Sequence, residues 1–222
     1  MRQLSVLAAL LIGIIPPVSA AGGDTPTIRL AAMKDNSIVL VEGETEQNAG
    51  RQERLRIKGN QHLLALDFDF ARLRGRRVRS AKLVCHQVDH TIDGLTISTI
   101  QAPWDEYRSN ALSAGVGSEQ GWGRTGARFP AATGGNSFSR VCQAPSRLAD
   151  GVYTWDIDPD LVHANAVGVA YGLTLHEWTC DYSRNPRVFS REDPQRGPVL
   201  IVEMDPTAVP PAPPEPPTGL HT

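Results

Sequence analysis

The sequence is poor in cysteine, in aromatics and in excess charge of either sign. Three cysteines in 222 residues cannot build the dense disulfide framework of a small stapled domain; they allow one bridge and leave one thiol over. Aromatics make up only 6% of the chain, and a formal charge of −2 excludes a strongly basic nucleic-acid binder. After the N-terminal segment nothing approaches eighteen consecutive apolar residues, so no segment reads as a membrane-spanning helix. Asn-x-Ser/Thr acceptors, a serine elbow and a nucleophile triad spacing are all missing. What remains is a globular composition, 41% hydrophobic and 21% charged, long enough to bury a core without a metal or disulfide.

The two ends differ from the body. Arg2 precedes an apolar run from Leu4 to Ile15, and Val18-Ser19-Ala20 offers small residues at a cleavage site. This predicts a secretory signal over residues 1–20 and a secreted or cell-surface product. No Cys follows the cleavage site, which argues against a lipid anchor. Residues 206–222 hold a proline cluster (Pro210, Pro211, Pro213, Pro214, Pro216, Pro217) and read as an extended linker toward further modules. The closing Pro217-Thr218-Gly219-Leu220-His221-Thr222 resembles the first strand of a fibronectin type III repeat.

Residues 27–205 read as strands. Leu64, Leu66, Phe68 and Phe70 alternate with Asp67 and Asp69, and Leu55 and Ile57 alternate with Arg54, Arg56 and Lys58. Tyr153, Trp155 and Ile157 repeat the pattern, as do Val169, Tyr171, Leu173 and Leu175. Period-two alternation is the mark of antiparallel strands with one face on a core. One short helix is expected, capped by Asp158, opened by Pro159 and closed before Gly168. The fold class is therefore all-β, a jelly-roll-like antiparallel β-sandwich with one short crossover helix. The Gly-, Ala- and Ser-rich stretch from Asn110 to Asn136 reads as a long loop that could hide a short strand around Trp122.

Several chemical motifs can be weighed against this frame. His176-Glu177-Trp178-Thr179-Cys180 approaches a zinc-protease motif, but that motif needs a helix and a second His. Gly121-Trp122-Gly123-Arg124-Thr125-Gly126 fits a dinucleotide fingerprint literally, without the flanking strand and helix that would give it meaning. Asp67 with Asp69, and Asp156 with Asp158, are the best carboxylate pairs for a polysaccharide hydrolase or lyase, and wet-face strand residues otherwise. His86, Asp89 and His90 read as exposed strand-end residues. Glu42, Glu44, Glu46 and Asn48 supply oxygen ligands suited to a structural Ca²⁺, or simply a solvated acidic edge. Arg72, Arg74, Arg76, Arg77 and Arg79 form the densest charge run and match carboxylate or sulfate groups. Trp104, Tyr107 and Trp122 are the aromatics least committed to an alternating core, hence candidates to stack on a sugar ring, with a core or loop-anchoring role the alternative preferred for Trp104. Cys142 and Cys180 are the preferred disulfide pair, with Cys85 buried in a strand.

Taken together, several segments resemble the extracellular β-sandwich domains called DNRLRE-type, or carbohydrate-binding module family 96. They are Asn48-Ala49-Gly50 before Arg54-Leu55-Arg56-Ile57, then Leu66-Asp67-Phe68-Asp69-Phe70, and Val78-Arg79-Ser80-Ala81-Lys82-Leu83 after Gly75. Trp104-Asp105-Glu106, Trp155-Asp156-Ile157, Phe189-Ser190-Arg191-Glu192 and Pro198-Val199-Leu200 complete the series. The Trp-containing strand that follows Trp-x-Glu in that family is replaced here by Ser109 through Gly115. The resemblance implies a jelly roll within a larger secreted protein, beside enzymatic or adhesive modules, with acidic polysaccharide among the ligands of some relatives. The resulting expectation is an exported, non-catalytic module that binds carbohydrate or assists adhesion, with a structural spacer as the alternative.

Overall fold

A computed structural model describes residues 26–117, 121–133, 139–143, 147–177 and 181–205. The expected leader, the proline-rich exit and Cys180 with its proposed bridge to Cys142 lie outside the described residues. Among the described residues eleven strands carry the fold: β1 (Thr27–Val39), β2 (Arg54–Arg56), β3 (His62–Phe68), β4 (Val78–His86), β5 (Leu95–Thr99), β6 (Ser139–Gln143), β7 (Arg147–Ala149), β8 (Val152–Ile157), β9 (Leu173–Glu177), β10 (Arg187–Phe189) and β11 (Val199–Met204). Two short helices, α1 (Phe129–Thr133) and α2 (Pro159–Ala166), accompany them.

The hydrogen-bonded order is β6-β5-β9-β3-β1-β11-β4-β8-β7, antiparallel at every pair. Strand β1 makes this one run into two faces. Its first half pairs with β11, its second half pairs with β3, and the register breaks between Ala32 and Lys34. A bulge bends and twists a strand, which lets one strand serve both sheets. Strand β11 lies between β1 and β4, and β9 between β3 and β5. Such interleaving of distant strands is the double Greek key of a jelly roll. The all-β antiparallel sandwich expected from the alternation is the observed fold.

The core follows the register. Leu30 faces Leu200, Leu200 faces Leu83, and Leu83 faces Trp155, a row of buried apolar side chains across four strands. Leu64 and Leu66 face Leu175 and Leu173 on the other sheet. The crossover helix also forms as expected: the Asp158 carboxylate accepts from Asp160 N–H at 2.9 Å, Pro159 opens α2, and Leu161 and Val162 are buried.

Two expectations are corrected. Val169 and Tyr171 do not share a strand face with Leu173, because they lie on the exposed connection from α2 and β9 begins only at Leu173. Gly172 ends that connection at φ 118°, where a Cβ would stand 2.4 Å from the Leu66 carbonyl oxygen. Strand β3 is buried on both faces, not one. The stretch after β5 folds back over the outer side of β3, and Ile38, Leu63, Ala65, Ile100, Ala102, Trp104, Ala111, Ala114, Trp122, Phe129 and Ala132 form a second core there.

Candidate functional site

The structure disperses the residues expected to bind. Trp122 is only 3% exposed and is not a stacking platform. Its ring meets Phe129 edge-on at 4.6 Å, and its Nε1–H donates to the Asn110 carbonyl at 2.8 Å. It is the anchor of the second core. Trp104 is buried too, with its Nε1–H on the Tyr171 carbonyl at 2.8 Å. Tyr107 is 40% exposed, but Arg51 covers its ring at 4.2 Å and Arg191 donates to its hydroxyl. Arg72, Arg74, Arg76 and Arg77 are exposed on the turn after β3, where it packs against α2. No exposed aromatic of the set accompanies them.

Glu42, Glu44 and Glu46 sit on an exposed turn rather than on alternating strand positions. Among the described residues no group of three His, Cys, Asp or Glu side chains gathers to hold a metal. Asn48 is engaged elsewhere: its Nδ2 donates to the carbonyls of Glu106 at 2.8 Å and Ser109 at 2.7 Å. Asp67 is paired with Lys34 at 2.8 Å. His176 and Glu177 lie on β9, whose extended backbone turns them to opposite faces, so the zinc-helix geometry is absent. The glycines of the dinucleotide-like motif form a turn closed by a Gly121–Thr125 bridge.

A different concavity collects polar groups. Strands β2 and β10 pair as a ribbon, with Arg187 opposite Arg56, Val188 opposite Leu55 and Phe189 opposite Arg54. Leu55 and Val188 enter the main core, so the alternation sends Arg54 and Arg56 outward. The ribbon lies beside the end of β1: Ser37 Oγ donates to the Arg56 carbonyl at 2.6 Å. The chain from residue 44 to 53 rises next to it. Between them opens a cleft of about 450 Å³, lined by Ser37, Gln47, Gln52, Arg54, Arg56 and His62, among others. That volume falls within the range of sites for small ligands.

The cleft has two kinds of cation. Arg187 is fixed by Asp89, with Nε at 2.7 Å and Nη2 at 2.5 Å from Oδ2. Arg54 and Arg56 have no carboxylate partner among the described residues. Glu44 and Glu53 line the same cleft and can accept bonds from ligand hydroxyls. His62 is 93% buried at its wall, since its exposure is 7%. Burial, assisted by Arg56 and Lys58, lowers its pKa to about 4, so the imidazole is neutral at physiological pH. Its Nδ1 finds no hydrogen-bond partner among the described residues.

Behind the cleft lies a buried polar cluster that joins distant segments. The Arg191 guanidinium binds Glu106 through both arms, Nε to Oε1 at 2.5 Å and Nη2 to Oε2 at 2.7 Å. The Asp35 N–H donates to Glu106 Oε1 at 2.9 Å, and the Arg191 N–H donates to Asp35 Oδ2 at 2.6 Å. Asn36 donates to Ser109 and accepts from the Ala49 N–H at 2.9 Å. Gly50 approaches so closely that a Cβ would stand 2.3 Å from the Glu106 carbonyl oxygen. Three segments singled out in the sequence, Asn48-Ala49-Gly50, Trp104-Asp105-Glu106 and Phe189-Ser190-Arg191-Glu192, thus meet at one place. Asp35 and Asn36, which complete the cluster, carried no motif. Arg54 and Arg56 were legible as a polar strand face, but not as a cleft wall.

No protein-family model matches the chain, and no curated protein matches it either.

Proposed function

We propose that this chain is an exported, non-catalytic recognition module that binds an acidic glycan in the cleft beside β2. The observation that carries this reading is the pair of exposed guanidiniums, Arg54 and Arg56, on one face of β2 without a carboxylate partner among the described residues. Residues two apart on a strand stand about 6.5–7 Å apart, so two forks face one direction along the cleft. Guanidinium forks hold carboxylates bidentately. Gln47, Gln52, Ser37 and the two glutamates surround them with groups suited to sugar hydroxyls. The leader-like N-terminal sequence and the resemblance to carbohydrate-binding module family 96 support the same reading.

A glycan array followed by calorimetry with polyuronate and neutral oligosaccharides tests it. Arg54→Ala with Arg56→Ala should abolish polyuronate binding while leaving the melting temperature within a few degrees. Arg72→Ala with Arg74→Ala should bind as the wild type does. Equal binding by the cleft variant, or no glycan bound by the wild type, refutes the reading. The proline-rich C-terminal sequence supports a second role, as a spacer that displays further modules.

A further inference from the structure

Three carboxylates converge on Arg191: Glu106 and Glu192 on its guanidinium, and Asp35 on its backbone N–H. Glu106 takes both of its forks, and Glu192 lies at 3.5 Å. Among the described residues Asp35 receives only the Arg191 backbone N–H, on Oδ2, and its Oδ1 has no partner although the residue is 0% exposed. An ionised carboxylate with one bare oxygen in a dry site is costly, whereas the protonated form places no charge there. The groups facing Asp35 are Glu106 from the turn after β5, Arg191 and Glu192 from the turn after β10, and the Cys85 thiol from β4. Tyr107 adds its hydroxyl through Arg191. Two carboxylates against one guanidinium leave the surroundings unfavourable to a third negative charge.

The same cluster holds the wall of the cleft. The next residue on β1, Asn36, grips the Ala49 N–H, and Asn48 grips the turn carrying Glu106. Ser37 follows on β1 and lines the cleft itself. We infer that the Asp35–Glu106–Arg191 cluster is a proton-operated latch: a proton on Asp35 seats the 48–53 turn against β1, and its release loosens that wall. Burial is the largest cause of a pKa of about 7 for Asp35, which puts the change near neutrality. The regulatory consequence rests on the reading of the cleft as a glycan site; the latch itself does not.

The test separates the two. Carbon-13 NMR of the full chain should show the Asp35 carboxyl titrating above pH 6. Between pH 5.5 and 8 the Ala49 and Gly50 amides should lose roughly tenfold in protection beyond the ordinary base-catalysed trend. In Asp35→Asn that extra loss should vanish. Polyuronate oligosaccharides should bind the wild type more tightly at pH 5.5 than at 8, and the variant equally at both. An Asp35 carboxyl titrating below pH 4.5, or protection that follows only the intrinsic trend, overturns the latch, and neither measurement on the wild type depends on a variant folding. A latch that titrates as described in a protein that binds no polyuronate overturns the glycan reading alone.

Discussion

Truncating Trp122 distinguishes a binding aromatic from a core aromatic. The side chain is 97% buried, packs edge-on against Phe129 at 4.6 Å and donates to the Asn110 carbonyl at 2.8 Å. A buried tryptophan hides roughly 150–250 Å², which at about 25 cal/mol per Å² is roughly 4–6 kcal/mol of transfer free energy. Partial collapse of the site brings measured costs of such truncations to about 3–5 kcal/mol. Trp122→Ala should therefore lose about 4 kcal/mol, or on the order of 8–16 °C in melting temperature for a domain of this size. Trp122→Phe keeps a ring on Phe129 but leaves the Asn110 carbonyl without its donor, at a cost of about 1–3 kcal/mol. Urea unfolding followed by far-UV circular dichroism at 25 °C gives both values. Hydrogen exchange should locate the damage in the segment closed by the Ala114–Gly121 and Phe129–Ala111 backbone bonds. Glycan binding, if carried by the cleft, should persist wherever the variant is folded. A loss of stability below about 1 kcal/mol together with a loss of binding would refute the second core as the role of Trp122.

Two further outcomes follow from the buried groups. Asp35, with its folded pKa raised to about 7, contributes stability that is present below its unfolded pKa and is lost as pH rises toward 7. His62, lowered to about 4, acts oppositely: its contribution is present above 6.5 and is lost as pH falls toward 4. The two slopes oppose each other between pH 4 and 6.5, each limited to about 1.4 kcal/mol per pH unit. Asp35→Asn should thus gain stability as pH rises through this window, and His62→Gln should lose it; denaturant midpoints at pH 4.5 and 6.5 that move the other way refute the assignment. Gly50→Ala should destabilise by about 1–3 kcal/mol, because the added carbon meets a backbone carbonyl at 2.3 Å rather than a movable side chain. A thermal melt within 1 °C of wild type would show that the turn yields freely.

The sandwich was legible because strand burial imposes a period that the sequence repeats. Leu64, Leu66, Tyr153, Trp155 and Ile157 lie on the core faces where their alternation puts them. The crossover helix was legible because its signals are local: Asp158 caps within two residues, and Pro159 presets the first turn. Val169 and Tyr171 misled because alternation also occurs in an exposed connection, where nothing punishes an apolar residue. Trp122 misled for the opposite reason. A Gly- and Ala-rich segment has little period of its own, and only the outer face of β3 supplies the surface it covers.

The candidate site divides along the same line. The sequence by itself determined that Arg54 and Arg56 share the wet face of a strand, since Leu55 and Ile57 claim the core. It also marked Asn48, Glu106 and Arg191 as members of separate segments. Only the tertiary structure decided that these become neighbours. Glu106 meets Asp35 across 71 positions of sequence, and Arg191 meets Asp35 across 156. No local spacing encodes such encounters, because they depend on which strands lie side by side after β1 bends between the sheets. Burial is likewise a property of the assembled layers, and it is burial that leaves Asp35 short of a partner and His62 neutral at the cleft wall.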